Sequence, residues 1–423
     1  MGTVRADAEL KRRKTMRRKL TALVLAAAMA VSLFGCGGAD DAPAQAPSDT
    51  EAAESTESAE PSGDDAAADE TTAEVWGGET GEVCGDENGE YTIGVIIHTT
   101  TDYLCAKLKA YTDYLGKAFS VKFSYYIIEN FADETYLAGI ENLCAQGVDG
   151  IITTNFSGTA VLQGLKICED NGVYMGVGWS QIDEQIKDQV YASDYFVGGA
   201  YESEVQAGKD IIESLIDAGC KNIAPIGYEP GITCHDRRWN GMMEALEEHP
   251  EINKAGEYRG LEFTKAVEDY LAADETIDGI AITLLGIEYC MEPIKSAGRE
   301  GQVKIAFVDL SENCGEYLES GDVVCAIGGQ YVDVVFPFIF MYNALNGTPL
   351  EKTEVPVNFI TCKTGEEFEN YATYLHADGV YCWTDEELKD VIVKYNPDAT
   401  ADMLVEMGAK YSSEDTMERH GTN

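Results

Sequence analysis

From residue 91 onward the apolar positions fall into short continuous runs separated by longer amphipathic stretches. Tyr91-Thr92-Ile93-Gly94-Val95-Ile96-Ile97 is almost wholly apolar, the pattern of a strand covered on both faces. A helical pattern over 102–119 follows it. Strands over 121–128, 150–154 and 173–177 then alternate with helices over 133–146 and 158–171. Strand, crossover helix and strand in this spacing predict right-handed βαβ units and a parallel sheet. After Val190-Tyr191-Ala192-Ser193-Asp194 the alternation starts afresh. It predicts a long helix over 198–218, a strand over 222–226, a helix over 233–249 and a short strand near Glu257. A helix over 264–273, a strand over 279–283, a helix over 286–297 and a strand over 304–308 come next. A short helix over 314–320 and a strand over 323–327 complete this half, and a helix over 332–346 precedes extended chain over 354–360. Two such runs predict an α/β protein of two doubly wound, Rossmann-like parallel-sheet lobes in preference to one long sheet.

The first residues follow a different pattern. Lys11, Arg12, Arg13, Lys14, Arg17, Arg18 and Lys19 form a basic flank, and 20–35 is an apolar run shorter than a spanning helix needs. The run ends at Leu33-Phe34-Gly35-Cys36, which resembles a bacterial lipobox, although Phe34 is bulkier than usual at its place. Residues 1–35 are therefore expected to be a lipoprotein signal peptide, with lipidation at Cys36. No later apolar stretch approaches spanning length, so the rest is expected on the outer face of the cell membrane, anchored by the lipid. Over 36–90 Ala, Ser, Thr, Pro, Gly, Asp and Glu dominate and Lys and Arg are absent. Such a segment buries too little to offset its ordering entropy, and its like charges extend it. It predicts a disordered acidic tether.

The remaining chain is long for one domain and comfortable for two. The formal charge of −45 argues against nucleic acid and anionic membrane surfaces as partners. Cys36 aside, the other eleven of the twelve cysteines form no C-x-x-C pair, and no metal or redox motif is supported. Export favours disulfides, yet many of these cysteines fall on apolar helix faces or strands and read as small buried hydrophobes. No nucleophile elbow, Walker loop or convincing His arrangement points to an enzyme. No catalytic residue, metal or cofactor is expected.

Several segments, in order along the body, resemble the type I periplasmic sugar-binding proteins, the group of ribose- and galactose-binding proteins. Gly94-Val95-Ile96-Ile97 opens the first strand, and Ala145 to Ile152 (AQGVDGII) is similar to the family's helix-to-strand joint. Ser193-Asp194 to Gly198-Gly199 resembles the first hinge crossing, and Arg238-Trp239-Asn240-Gly241-Met242 the family's R-x-x-G helix. Ile305 to Asp309 is similar to its strand ending in aspartate, and Ala326 to Gln330 to the second crossing. The resemblance implies lobe 1 over 91–193 plus 331–355 and lobe 2 over 194–330 plus 356–365. Residues 366–423 remain as a helical tail without an assigned role. Ligands of this fold sit between the lobes at the carboxyl ends of the strands, and the lobes close by hinge motion.

The same resemblance implies the ligand-binding candidates Thr100, Tyr103, Asn155, Trp179, Arg238, Asp309 and Gln330. Trp179 stands where ribose binders carry a charged pair, and Leu284 or Leu285 where they carry an asparagine. Arg238 and Asp309 imply a small polar, sugar-like ligand that is neutral and polyhydroxylated, and these departures argue against a simple pentose and for a larger or more apolar one, such as a nucleoside, signalling molecule or glycoside. The implied role is capture by a monomer for the membrane permease of an ATP-binding-cassette importer. The alternative is a sensor that delivers its ligand to a membrane receptor.

Overall fold

The computed structural model describes residues 79–421 apart from Glu129. The signal segment, Cys36 and most of the expected tether lie outside the described residues. Among the described residues no helix is long and apolar enough to cross a membrane.

The first lobe runs β1 (Glu79–Gly85), β2 (Tyr91–Ile97), α1 (Tyr103–Phe119), β3 (Val121–Ile127), α2 (Asp133–Gln146) and β4 (Gly150–Thr154). It continues with α3 (Gly158–Asn171), β5 (Tyr174–Gly178), α4 (Glu184–Ala192) and β6 (Phe196–Tyr201). The second runs α5 (Glu204–Asp217), β7 (Asn222–Gly227), α6 (Thr233–Glu248), β8 (Asn253–Lys254), β9 (Tyr258–Arg259) and α7 (Phe263–Ala273). After these come β10 (Gly279–Ile282), α8 (Gly286–Ser296), β11 (Lys304–Val308), α9 (Cys314–Ser320) and β12 (Val323–Gly328). A 3₁₀ turn (Gln330–Val334) and α10 (Val335–Leu345) return to the first lobe. There β13 (Glu354–Pro356) adds to its sheet, before β14 (Ile360–Cys362) joins the second. The tail is α11 (Gly365–Tyr371), a π-type turn (Ala372–His376), α12 (Asp385–Lys389), α13 (Ala401–Lys410) and α14 (Ser413–His420).

The first sheet has the order β1-β3-β2-β4-β5-β6-β13 and the second β14-β12-β11-β10-β7-β8, with β9 also on β7. Every pairing is parallel except β1 on β3 and β14 on β12. Both sheets are covered on both faces, as continuous apolar strands require. Ile93, Val95 and Ile97 pack with α1 and α10, whereas Ile96, Ile151 and Met175 pack with α2 and α3. Helix α10 is apolar on every side apart from Asn343 and buried along its whole length. The joint at Ala145–Ile152 works through Gly147, whose φ of +80° ends α2 and lets its N–H reach the Cys144 carbonyl.

Three expectations need correction. Residues 196–201 form β6 of the first sheet, not the start of a long helix, so the chain crosses at Glu202-Ser203 and not at Ser193-Asp194. The tether reading extended too far: 79–85 form an edge strand, and Gly85 N–H donates to Asp113 at 2.9 Å. Composition misses this strand because it is held by backbone hydrogen bonds more than by apolar side chains. The extended segment at 354–360 is two strands in different sheets, so the third crossing lies at 357–359.

The tail packs across the hinge. Tyr111 Oη donates to the Trp383 carbonyl and accepts from its N–H, both at 3.0 Å, and Tyr411 Oη donates to the Gly329 carbonyl at 2.9 Å. Asn358, in the third crossing, donates to the Ala409 carbonyl at 2.7 Å. Trp383, Leu388, Ile392 and Leu404 are buried in the same core as α10. None of the eleven described cysteines is in a disulfide; nine are buried and Cys84 and Cys234 half-buried, so the small-hydrophobe reading describes them better than a disulfide framework.

Candidate functional site

The carboxyl ends of both sheets converge on one cleft, and the lobes meet across it. Phe131, after β3, lies edge-on to Tyr228, after β7, at 5.8 Å between ring centroids. Thr233, opening α6, donates its hydroxyl to the Phe156 carbonyl at 3.3 Å. Arg237 donates to the Gln181 carbonyl at 2.9 Å and to Asp183 at 2.8 Å, a half-buried ion pair from lobe to lobe. This is a closed arrangement.

Among the described residues, three of the four non-glycine residues with left-handed backbone follow strands on this cleft. They are Trp179 (φ +62°), Leu285 (+40°) and Asp309 (+76°); the fourth, Ser120, caps α1. Such strain persists only where surrounding packing enforces it.

The cleft floor is a connected polar chain. Trp179 donates its indole N–H to the Gln330 carbonyl at 3.0 Å, and the Gln330 side chain donates to Asp309 at 2.7 Å. A further Asp309 oxygen lies 3.7 Å from Arg238. Arg238 is gripped from behind by Glu204 through two of its nitrogens, and donates to the Thr283 carbonyl at 3.0 Å. Two glycines make this possible. A Cβ on Gly208 would stand 2.0 Å from the Arg238 carbonyl oxygen, and one on Gly241 2.0 Å from that of Val205, so α5 and α6 touch backbone to backbone.

Burial works against the Arg238 charge, but Glu204 and Asp309 outweigh it and hold the guanidinium firmly protonated. Burial raises the Asp309 and Glu204 carboxyls, with Arg238 opposing in both cases. Behind them, burial and then Asp333 push Glu202 well above the carboxylate range, while burial pushes Asp333 up to about 7. Both Glu202 oxygens and one Asp333 oxygen lack any donor, so the pair holds one proton between them. His235 stacks on Tyr228 at 4.7 Å between centroids, and burial followed by Arg238 keeps it neutral.

Of the sequence candidates, Trp179, Arg238, Asp309 and Gln330 are brought into this one chain of contacts. Glu204 occupies two nitrogens of the Arg238 fork, and the third faces the Thr283 carbonyl and Asp309. Asn155 is buried after β4 and donates to the Gln181 carbonyl at 2.6 Å, leaving its oxygen without a donor. Thr100 stands apart, hydrogen-bonded to Glu82 on the edge strand. Tyr103 stacks on His376 of the tail at 3.8 Å, with its carbonyl bonded to the same ring, so one face is covered.

The sequence reading missed Glu202, Glu204, Asp333, the Arg237–Asp183 latch and the Phe131–Tyr228 contact. Asp333 was the findable one: it is the lone acid in an apolar run from Tyr331 to Tyr342. His98, Asp102 and Cys105 place donor atoms within 4.8 Å of one another at the start of α1. Asp102 is however committed to capping the helix at Cys105 N–H, and the grouping reads as a cap and not a metal centre.

Comparisons with known proteins fit this architecture. The fold is similar to that of a transporter solute-binding protein from Actinobacillus succinogenes with bound D-allose (TM-score 0.59, 18% identity, covering 67% of this chain and 100% of the other). It is similar also to one from Bacillus halodurans with bound myo-inositol (0.57, 17%, 68% and 99%). A third, from Agrobacterium vitis, holds D-fucose (0.58, 17%, 69% and 99%). No curated protein matches the sequence. A profile described as a periplasmic binding protein domain matches residues 93–347, a span that takes in most strands of both sheets and two of the three crossings, and the chain thus belongs to the periplasmic binding protein family, with the type I fold.

Proposed function

We propose that the protein is an extracytoplasmic binding protein that captures a small hydroxyl-rich, sugar-like ligand for an ATP-binding-cassette importer. The observation that carries this reading is the polar chain Trp179–Gln330–Asp309–Arg238, enclosed where two strand-end clusters meet. Side chains fixed by their own hydrogen bonds offer a ligand preset positions, which lowers the ordering cost of binding. The sugars and the cyclitol held by proteins of the same fold support the ligand class. The lipobox-like segment at 33–36 supports a lipid anchor on Cys36, with the acidic segment as spacer. Family membership and the absence of an enzyme motif in the sequence favour binding over catalysis.

A thermal-shift screen of the purified chain against monosaccharides, cyclitols, nucleosides and glycosides tests the proposal. A ligand that binds only the native state raises the melting temperature by mass action, by several degrees once its concentration is about a hundred times Kd. A panel in which only non-hydroxylated ligands stabilise the protein would remove the sugar-like reading.

A further inference from the structure

Charge matching around the cleft leaves a deficit of cations. Arg237 is matched by Asp183, and Arg259, beside Trp239, by Asp236. Arg238 alone must serve both Glu204 and Asp309. Glu202 and Asp333 stand behind this triad, and burial raises both carboxyls, so the unmatched negative charge rests on Glu204 and Asp309. The acidity of the whole chain does not explain this pattern. Surface carboxylates are solvated, whereas Glu202, Glu204 and Asp333 are buried, where an uncompensated charge is costly.

A second observation concerns hydrogen-bond polarity. Gln330 gives its amide N–H to Asp309 and Asn155 gives its own to a backbone carbonyl, so neither amide can be flipped without losing a donor. Their oxygens are left buried and without donors. The Gln330 oxygen belongs to the same amide that touches Asp309, so an unfilled acceptor stands beside that carboxylate. What this floor lacks is a group rich in N–H or O–H donors and positively charged.

We propose that the captured ligand carries a protonated amine together with hydroxyls, an amino-sugar-like polyol whose ammonium sits on Asp309 beside the Gln330 oxygen. The proposal rests on the sugar-capture reading and narrows it. An ammonium offers several donors from one point and supplies the missing charge, whereas a neutral hydroxyl fills acceptors but leaves the deficit.

The test is calorimetric titration of the full chain with glucosamine, galactosamine and mannosamine, each beside its N-acetyl derivative and its parent hexose. At least one free amine should bind tenfold or more tightly than both its neutral counterparts. Asp309→Asn, which keeps the shape and tolerates the left-handed backbone, should abolish that preference while far-ultraviolet circular dichroism stays unchanged. Neutral hexoses binding as well as or better than the amines overturns the proposal and leaves sugar capture standing. A panel in which no member binds overturns the proposal and removes hexose-like capture with it. An amine preference that survives Asp309→Asn also overturns the proposal, because the charge would then be read elsewhere.

Discussion

Substituting Asp333 by Asn isolates the proton shared at the hinge. Glu202 lies on the first crossing and Asp333 just after the second, so the pair ties two of the three connections between the lobes. Asp333 is fully buried and accepts the Trp179 backbone N–H at 3.0 Å. Burial pushes its carboxyl from the usual 3.8 up to about 7. At about 1.4 kcal/mol for each tenfold change in proton affinity, ionising the pair costs the native state up to about 4 kcal/mol. The native state binds this proton more tightly than the unfolded chain, so stability is greatest below about pH 4 and is lost as pH rises through about 7. In Asp333→Asn the amide oxygen can keep the Trp179 bond while the amide nitrogen donates permanently to Glu202. Urea unfolding should be followed at pH 5 and pH 8, comparing variant with wild type at each. The variant should gain on the wild type by about 2.5–3 kcal/mol between the two pH values, since the unfolded carboxyl is already ionised at pH 5. Carboxylates held low elsewhere, such as Glu387 at about 2, cancel in the comparison. A difference independent of pH would refute the shared proton.

Two further outcomes follow from the latch and the anchor. Arg237→Ala removes a half-buried ion pair that exists only when the lobes touch, worth about 0.5–1 kcal/mol. Ligand release in stopped-flow displacement should therefore quicken about two- to fivefold, and an unchanged rate would show that the pair does not hold the closed state. Cys36→Ala should abolish palmitate labelling of the protein in cells, and labelling that persists would move the anchor elsewhere.

Much of the fold was legible because strand and helix periods are local. The run at 91–97 and the amphipathic stretch after it specify a βα unit whatever lies elsewhere, and the repeat of that unit specifies two lobes. Edges and crossings were less legible. The Phe196–Tyr201 strand contains Gly198 and Gly199, which weaken any apolar signal, and its place beside β5 is a pairing between distant segments. The edge strand at 79–85 carries almost no apolar pattern and is defined by its neighbour.

For the site, the sequence determined the residues at strand ends, since Trp179, Asp309 and Gln330 each follow an apolar run. Only the tertiary structure decided what those residues do. Arg238 could face a ligand or a carboxylate, and the close approach of α5 and α6 at Gly208 and Gly241 gives it to Glu204. Tyr103 could have been an open stacking face, but the tail returns to cover it with His376. The physical reason is range. Periodicity and capping act within a few residues, whereas the charge state of a buried carboxylate and the partner of a guanidinium depend on groups brought together from distant positions by packing alone.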